Sequence, residues 1–185
     1  MLKNNSQGYG LVSIIIHWLS AITVFTLFGL GLYLSELSYY DELYRVIPHW
    51  HKSLGALLAL AVIFRIVWMV SHPSPKPHGS PAMANVAKAA HGVLYLALFS
   101  LFITGYLIST ADGRAIDVFD WFSVPGFGSF IENQEDLAGQ IHELIAYIIM
   151  GLAALHALAA LKHHFLDRDN TLSRMLKPVR HSNEN

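Results

Sequence analysis

The sequence predicts an all-α fold, an integral membrane four-helix bundle with both termini in the cytoplasm, and three observations lead there. The 185 residues are 54% hydrophobic and only 14% charged, whereas about a quarter of a soluble domain is charged. Four stretches of ~20 apolar residues, each long enough to cross a bilayer as a helix, alternate with polar loops. Lysine and arginine gather in alternate loops, which sets the direction of insertion.

The spans fall at about 10–34, 50–71, 86–110 and 137–162, within a single domain covering 1–185. The first contains no acidic or basic residue between Lys3 and Glu36; it is too long for a signal peptide and has no short apolar region ending in a small-residue cleavage site. The second is broken only by Arg65 after its opening Lys52, and the fourth carries Glu143 near its start. Between the second and third, His72-Pro73-Ser74-Pro75-Lys76-Pro77 is a short extended connector, because proline fixes φ and removes a donor. The longer loop from Asp112 to Asp136 holds Phe119, Trp121, Phe122, Phe127 and Phe130 beside Pro125 and Gly126. It reads as an interfacial segment over the outer end of the bundle or as an ordinary aromatic belt.

Lys3, then Lys76 and Lys88, then Lys162, Arg168, Arg174, Lys177 and Arg180 lie on one side of this scheme. The other side carries Arg45, Lys52 and Arg114. The positive-inside rule therefore puts both termini in the cytoplasm. Cysteine is absent, which excludes disulfides, thiolate-held iron–sulfur clusters, Cys-type zinc sites and the C-x-x-C-H attachment of c-type haem. Any haem must be held by coordination and packing alone, and would be b-type.

The histidines carry the chemistry. His142 and His156 are fourteen residues apart in the last span; at ~100° per residue that returns a helix to nearly the same face after a climb of roughly 21 Å. The hydrocarbon core is ~30 Å thick, so one helix offers an imidazole towards each side of the membrane. The predicted orientation places His17 and His156 at the cytoplasmic level and His51 and His142 at the outer level, two pairs at matched depth. Two neutral imidazoles fill both axial positions of a haem, which favours outer-sphere electron transfer over oxygen activation. Histidine inside a membrane is otherwise costly and faces the bundle interior. Periodicity alone leaves His49 open as an alternative to His51.

The same register singles out further positions. Gly31, fourteen beyond His17, and Gly105, fourteen beyond His91, fall at the outer level, where glycine admits a flat macrocycle or simply close helix packing. Arg65, fourteen beyond His51, falls at the cytoplasmic level, either as partner of a propionate or snorkelling to the interface. His91 is a candidate haem or quinone contact or a satisfied helix-end residue. His163, with His164 beside Lys162, is a candidate for a quinone headgroup or for proton exchange. His72, His78 and His181 read as solvated.

These residues carry a family resemblance. Ile16-His17-Trp18-Leu19, His51-Lys52-Ser53-Leu54-Gly55, Ala90-His91-Gly92 with Leu94-Tyr95, Gln140-Ile141-His142-Glu143, and the tail from Leu155-His156-Ala157 through His163-His164-Phe165 to Asp169-Asn170-Thr171-Leu172 resemble the bacterial cytochrome b561 family. More distantly they resemble the haem b subunits that anchor hydrogenases and formate dehydrogenases. The resemblance runs through all four spans and into the tail. It implies two non-covalent haems b with axial ligands His17, His51, His142 and His156, which selects His51 over His49. It also implies a multi-pass protein of the bacterial inner membrane whose partners are lipid, ubiquinone and a periplasmic electron donor, with no nucleic acid. Some family members oxidise superoxide and pass its electron to ubiquinone. Here the outer loops hold Glu36, Asp41, Glu42, Asp112, Asp117, Asp120, Glu132, Glu135 and Asp136, a field that repels an anion.

The expectation is a membrane electron carrier exchanging single electrons with the quinone pool. One alternative is the cytochrome b subunit of a larger dehydrogenase, which needs a soluble partner. The other is a haem-free histidine-lined transporter or metal channel, which two histidine pairs at separate depths fit poorly.

Overall fold

Residues 1–76 and 79–179 are described by the computed structural model. Pro77 of the connector, Arg180, and the solvated positions assigned to His78 and His181 lie outside the described residues. The element order is α1 (Leu11–Glu36), α2 (Val46–Ser71), α3 (Pro81–Ser109), β1 (Ile116–Val118), β2 (Phe122–Val124), α4 (Gln134–Phe165) and α5 (Ser173–Leu176). Helices α1 to α4 are each long and apolar enough to cross a membrane, as the sequence predicts. Large apolar side chains such as Ile22, Val70, Leu96 and Leu158 are exposed along them, which suits contact with lipid rather than water.

Helices α2, α3 and α4 start three to five residues ahead of the apolar stretches that announced them. The first free N–H groups of α1 are met by the chain ahead of it: Leu11 donates to the Met1 carbonyl at 3.0 Å and Val12 to that of Leu2 at 3.4 Å. Buried Asn4 accepts from the Gly10 N–H at 2.8 Å and the Ser13 hydroxyl at 2.7 Å. These contacts satisfy donors that a helix leaves unpaired at its start. They also require Gly10, whose added Cβ would collide with the backbone of Leu2 and Lys3. Helix α3 begins at Pro81, where a missing N–H costs nothing, and the Ser80 hydroxyl accepts from the Met83 N–H at 3.3 Å. Helix α4 has Glu135 and Asp136 in its first turn and Lys162, His163 and His164 in its last, matching the sign of the helix dipole at both ends.

The chain forms two compact units, each drawing a segment from all four long helices. The first unit contains Met1–Ala21, Ala61–Leu94 and Gly151–Asn185. Within it the tail returns to the N-terminal segment: Val179 donates to the Tyr9 carbonyl at 2.9 Å, Arg174 donates to the Lys76 carbonyl at 2.8 Å, and the Trp18 indole donates to the Met175 carbonyl at 2.7 Å. His72 is not simply solvated. Its ring stacks on Trp68 with centroids 3.9 Å apart, and its Nδ1 lies 2.9 Å from the Trp68 carbonyl, an acceptor that calls for a proton on that nitrogen.

The second unit contains Ile22–Leu60 and Tyr95–Met150. Its loop after α3 is not irregular throughout: β1 and β2 pair antiparallel, Ile116 with Val124, Asp117 with Ser123 and Val118 with Phe122. Ile116 and Val118 are buried while Asp117 between them is exposed, the alternation a half-buried strand requires. The turn holds Phe119 and Asp120 at φ of 45° and 59°, a region that bulky residues seldom occupy. The fully buried Ser53 of α2 pins it, accepting from the Phe119 N–H at 3.2 Å and donating to the Asp117 carbonyl at 3.3 Å. Phe119 also meets Trp50 at 5.0 Å and His49 at 5.7 Å between ring centroids. The aromatic loop therefore folds onto the start of α2.

Candidate functional site: two imidazole pairs

In the second unit, His51 of α2 faces His142 of α4, with ring centroids 6.3 Å apart and planes at 64°. His49, two residues earlier, turns instead to Phe119, so of the two candidates His51 is the one brought to His142. Both glycines singled out by register lie against these rings. A Cβ on Gly31 would stand 3.5 Å from Cε1 of His51, and one on Gly105 would stand 3.3 Å from Cε1 of His142. The Nδ1 atoms of the two rings are held differently. That of His142 lies 2.9 Å from the Thr104 hydroxyl, whereas that of His51 is buried and makes no hydrogen bond of ordinary geometry, although the Leu27 carbonyl lies against the ring.

In the first unit, His17 of α1 faces His156 of α4, again with centroids 6.3 Å apart, and planes at 66°. Two further candidates join this pair. Nη1 of Arg65 lies 2.9 Å from Nδ1 of His17, and the ring of His91 lies 5.2 Å from that of His156. Nδ1 of His91 is 2.7 Å from the Ala87 carbonyl, so that nitrogen donates and Nε2 of the neutral ring is left as an acceptor. His163 stands apart from this group: its Nδ1 lies 2.9 Å from Asp169 and 3.1 Å from Asp167, and Lys162 closes on Asp167 at 2.7 Å. Burial alone would raise the carboxyl of Asp169, but hydrogen bonds from Thr171 and His163 outweigh it and hold it below the usual range.

Thr104 and Ser53 were not among the residues the sequence singled out for function. A hydroxyl one position from Gly105, within an apolar run, was the available signal for the first. Ser53 stands in the stretch His51-Lys52-Ser53-Leu54-Gly55 that carries the resemblance, without a role of its own there.

Four membrane-length helices bearing two facing imidazole pairs define a multi-pass membrane protein suited to electron transfer. Residues 8–178 match the family described as Prokaryotic cytochrome b561, and the chain belongs to that family. It is 47% identical over 175 residues to cytochrome b561 homolog 2 of Escherichia coli K12, covering 94% of this chain and 93% of the relative. It is 33% identical over 139 residues to a Yersinia pestis protein named probable superoxide oxidase CybB, covering 70% and 74% of the two chains. Cytochrome b561 homolog 1 of Escherichia coli K12 is 30% identical over 135 residues, with 72% and 76% covered. The chain is thus a membrane electron-transfer protein of the bacterial inner membrane, and its family implies b-type haem.

The spacing of the residues present fits that group, with one rearrangement: the Arg65 guanidinium, which can only donate, must leave Nδ1 of His17 for that ring to turn a free Nε2 to iron. Two imidazoles that share one metal ion at about 2.0 Å each would stand with ring centres roughly 6 Å apart. Both pairs stand at 6.3 Å. Neither Gly31 nor Gly105 places a side chain against the rings.

Proposed function

We propose that this protein carries two haems b, one between His17 and His156 and one between His51 and His142, and moves single electrons between a periplasmic donor and ubiquinone. The observation that carries the reading is the equal 6.3 Å separation of the two imidazole pairs. A bound b-type haem supplies a one-electron Fe(III)/Fe(II) couple. The four histidines would hold two such groups, one pair to each, and would leave the iron no open position for oxygen. The glycines beside His51 and His142 keep room for a flat ring.

The basic loops and tail support an orientation with both termini in the cytoplasm. Arg65 and His91, gathered at the His17/His156 pair, and His163 towards the end of α4 are the residues proposed to meet ubiquinone or haem carboxylates on that side. Arg65 offers a fixed cation, and His91 an acceptor nitrogen.

A second reading makes the donor superoxide, and it rests on the printed name of the Yersinia relative. The acidic outer loops weigh against it, and Arg114, one of their few cations, is already paired with Asp112. Asp112 is held below the usual carboxylate range by that guanidinium and by the Arg114 N–H.

The test is a dithionite-reduced minus oxidised spectrum of the purified chain with a pyridine haemochrome assay. Two low-spin haems b per chain are expected, falling to one in each single His→Ala variant at positions 17, 51, 142 and 156. A haem-free protein from haem-replete cells would overturn the proposal. Haem reduction by a superoxide flux, abolished by superoxide dismutase, decides the second reading.

A further inference from the structure

Imidazole binds a metal through one nitrogen, and what the other nitrogen does decides which tautomer is present and how strongly the ring donates. For His142 that second nitrogen meets a hydroxyl. Thr104 is buried, 8% exposed, and its Oγ1 lies 2.7 Å from the Ser100 carbonyl, 3.2 Å from the Leu101 carbonyl and 2.9 Å from Nδ1 of His142. A hydroxyl has one proton to give and two lone pairs. Carbonyls can only accept, and an oxygen 2.7 Å from another oxygen requires a proton between them, so the Thr104 proton is committed to the preceding turn of its own helix. Its contact with His142 must then run the other way, with Nδ1–H donating to Oγ1. The Leu101 carbonyl also lies against the His142 ring, and it too demands a donor.

We propose that Thr104 is a positioning residue: it accepts the Nδ1 proton of His142, so that Nε2 presents its lone pair to the haem iron, and it strengthens His142 as a donor. The inference rests on the haem reading above. It is specific to one ligand. No side-chain hydroxyl meets Nδ1 of His51, which has only the Leu27 carbonyl against its ring, and His17 meets the Arg65 guanidinium, which can only donate. Gly105, the next residue, completes the cradle, because a side chain there would press on Cε1 and Nδ1 of His142. A ring whose second N–H is accepted is a more basic ligand. It favours the ferric state and lowers the reduction potential of the haem it holds.

The experiment is a potentiometric titration of both haems in the purified full-length chain, wild type against Thr104→Val and Thr104→Ser. Valine keeps the shape and removes the acceptor; serine keeps the hydroxyl. The expected result is that Thr104→Val raises the midpoint potential of one haem, leaves the other unchanged, and weakens retention of the shifted haem by about tenfold, while Thr104→Ser restores both values. Loss of one haem from the valine variant alone also supports the proposal. Unchanged potentials in valine, or the same shift or loss in serine as in valine, would overturn it. Failure of the haem reading shows separately, as a wild type without two haems or a His142→Ala variant that keeps both.

Discussion

Arg65 of α2 places Nη1 2.9 Å from Nδ1 of His17 on α1, so the isolated charge of the second span lies against a candidate ligand rather than reaching for the interface. A guanidinium keeps its charge under all physiological conditions and acts strongly in a low-dielectric interior. It would oppose the positive charge of a ferric iron held at His17 and favour its reduction. Arg65→Met is therefore expected to lower the midpoint potential of the haem at His17/His156, with Arg65→Lys retaining most of the wild-type value. Equal potentials in all three proteins would show that the charge is screened from the site.

Gly105 and Gly31 differ in how much room they leave. An added Cβ comes to 3.3 Å from His142 at position 105 but to 3.5 Å from His51 at position 31, the first tight and the second ordinary contact. If two haems are bound as proposed, Gly105→Val is expected to cost one of them, and Gly31→Ala to keep both. The ratio of haem to protein after purification gives the answer.

Ser53 has a mechanical role. Replacing it with alanine leaves the Phe119 N–H without its partner, at a cost of about 1 kcal/mol because the bonds are long. Amide exchange in the hairpin 116–124 should quicken roughly fivefold, while the central turns of α2 stay protected. Exchange that is unchanged would mean that packing of Val118 and Phe119 holds the turn without the serine.

The tail should loosen in acid. The Asp169 carboxyl is held below its ordinary value in the folded chain, so its contribution to stability is complete above the unfolded value of about 3.9. That contribution fades as pH falls through the lower, folded value. Limited proteolysis by an acid-active protease should cut residues 166–179 faster as pH drops below about 4, and Asp169→Asn should be cut readily at higher pH as well.

Much of the histidine arrangement was legible because two residues that serve one face of a helix must obey its repeat. The spacing of His142 and His156 predicts two levels, and His17 and His51 are the residues found opposite them. Register likewise anticipated Gly31 and Gly105 beside the rings. Contacts that depend on how one helix is rotated against its neighbour were not readable. These helices are apolar on every side, so no amphipathic stripe marks the inward face, and neither Thr104 against His142 nor Arg65 against His17 could be assigned. The hairpin escaped notice for a different reason: strands of three residues are too short to show alternation. Helices α2, α3 and α4 start earlier than predicted because hydropathy detects the apolar run, while Ser80 and Pro81 begin α3 ahead of it.

Trp18 sits beside His17, with ring centroids 5.4 Å apart, and gives its N–H to the Met175 carbonyl of the tail. Indole emission overlaps haem absorption, so a haem held by His17 would drain the light of this residue. The same indole would change colour if the tail let go and water took the place of the carbonyl. A chain with the other three tryptophans replaced by phenylalanine would thus report two events through one fluorophore: brightness for the loading of the His17 site, and emission wavelength for the docking of the C-terminal segment.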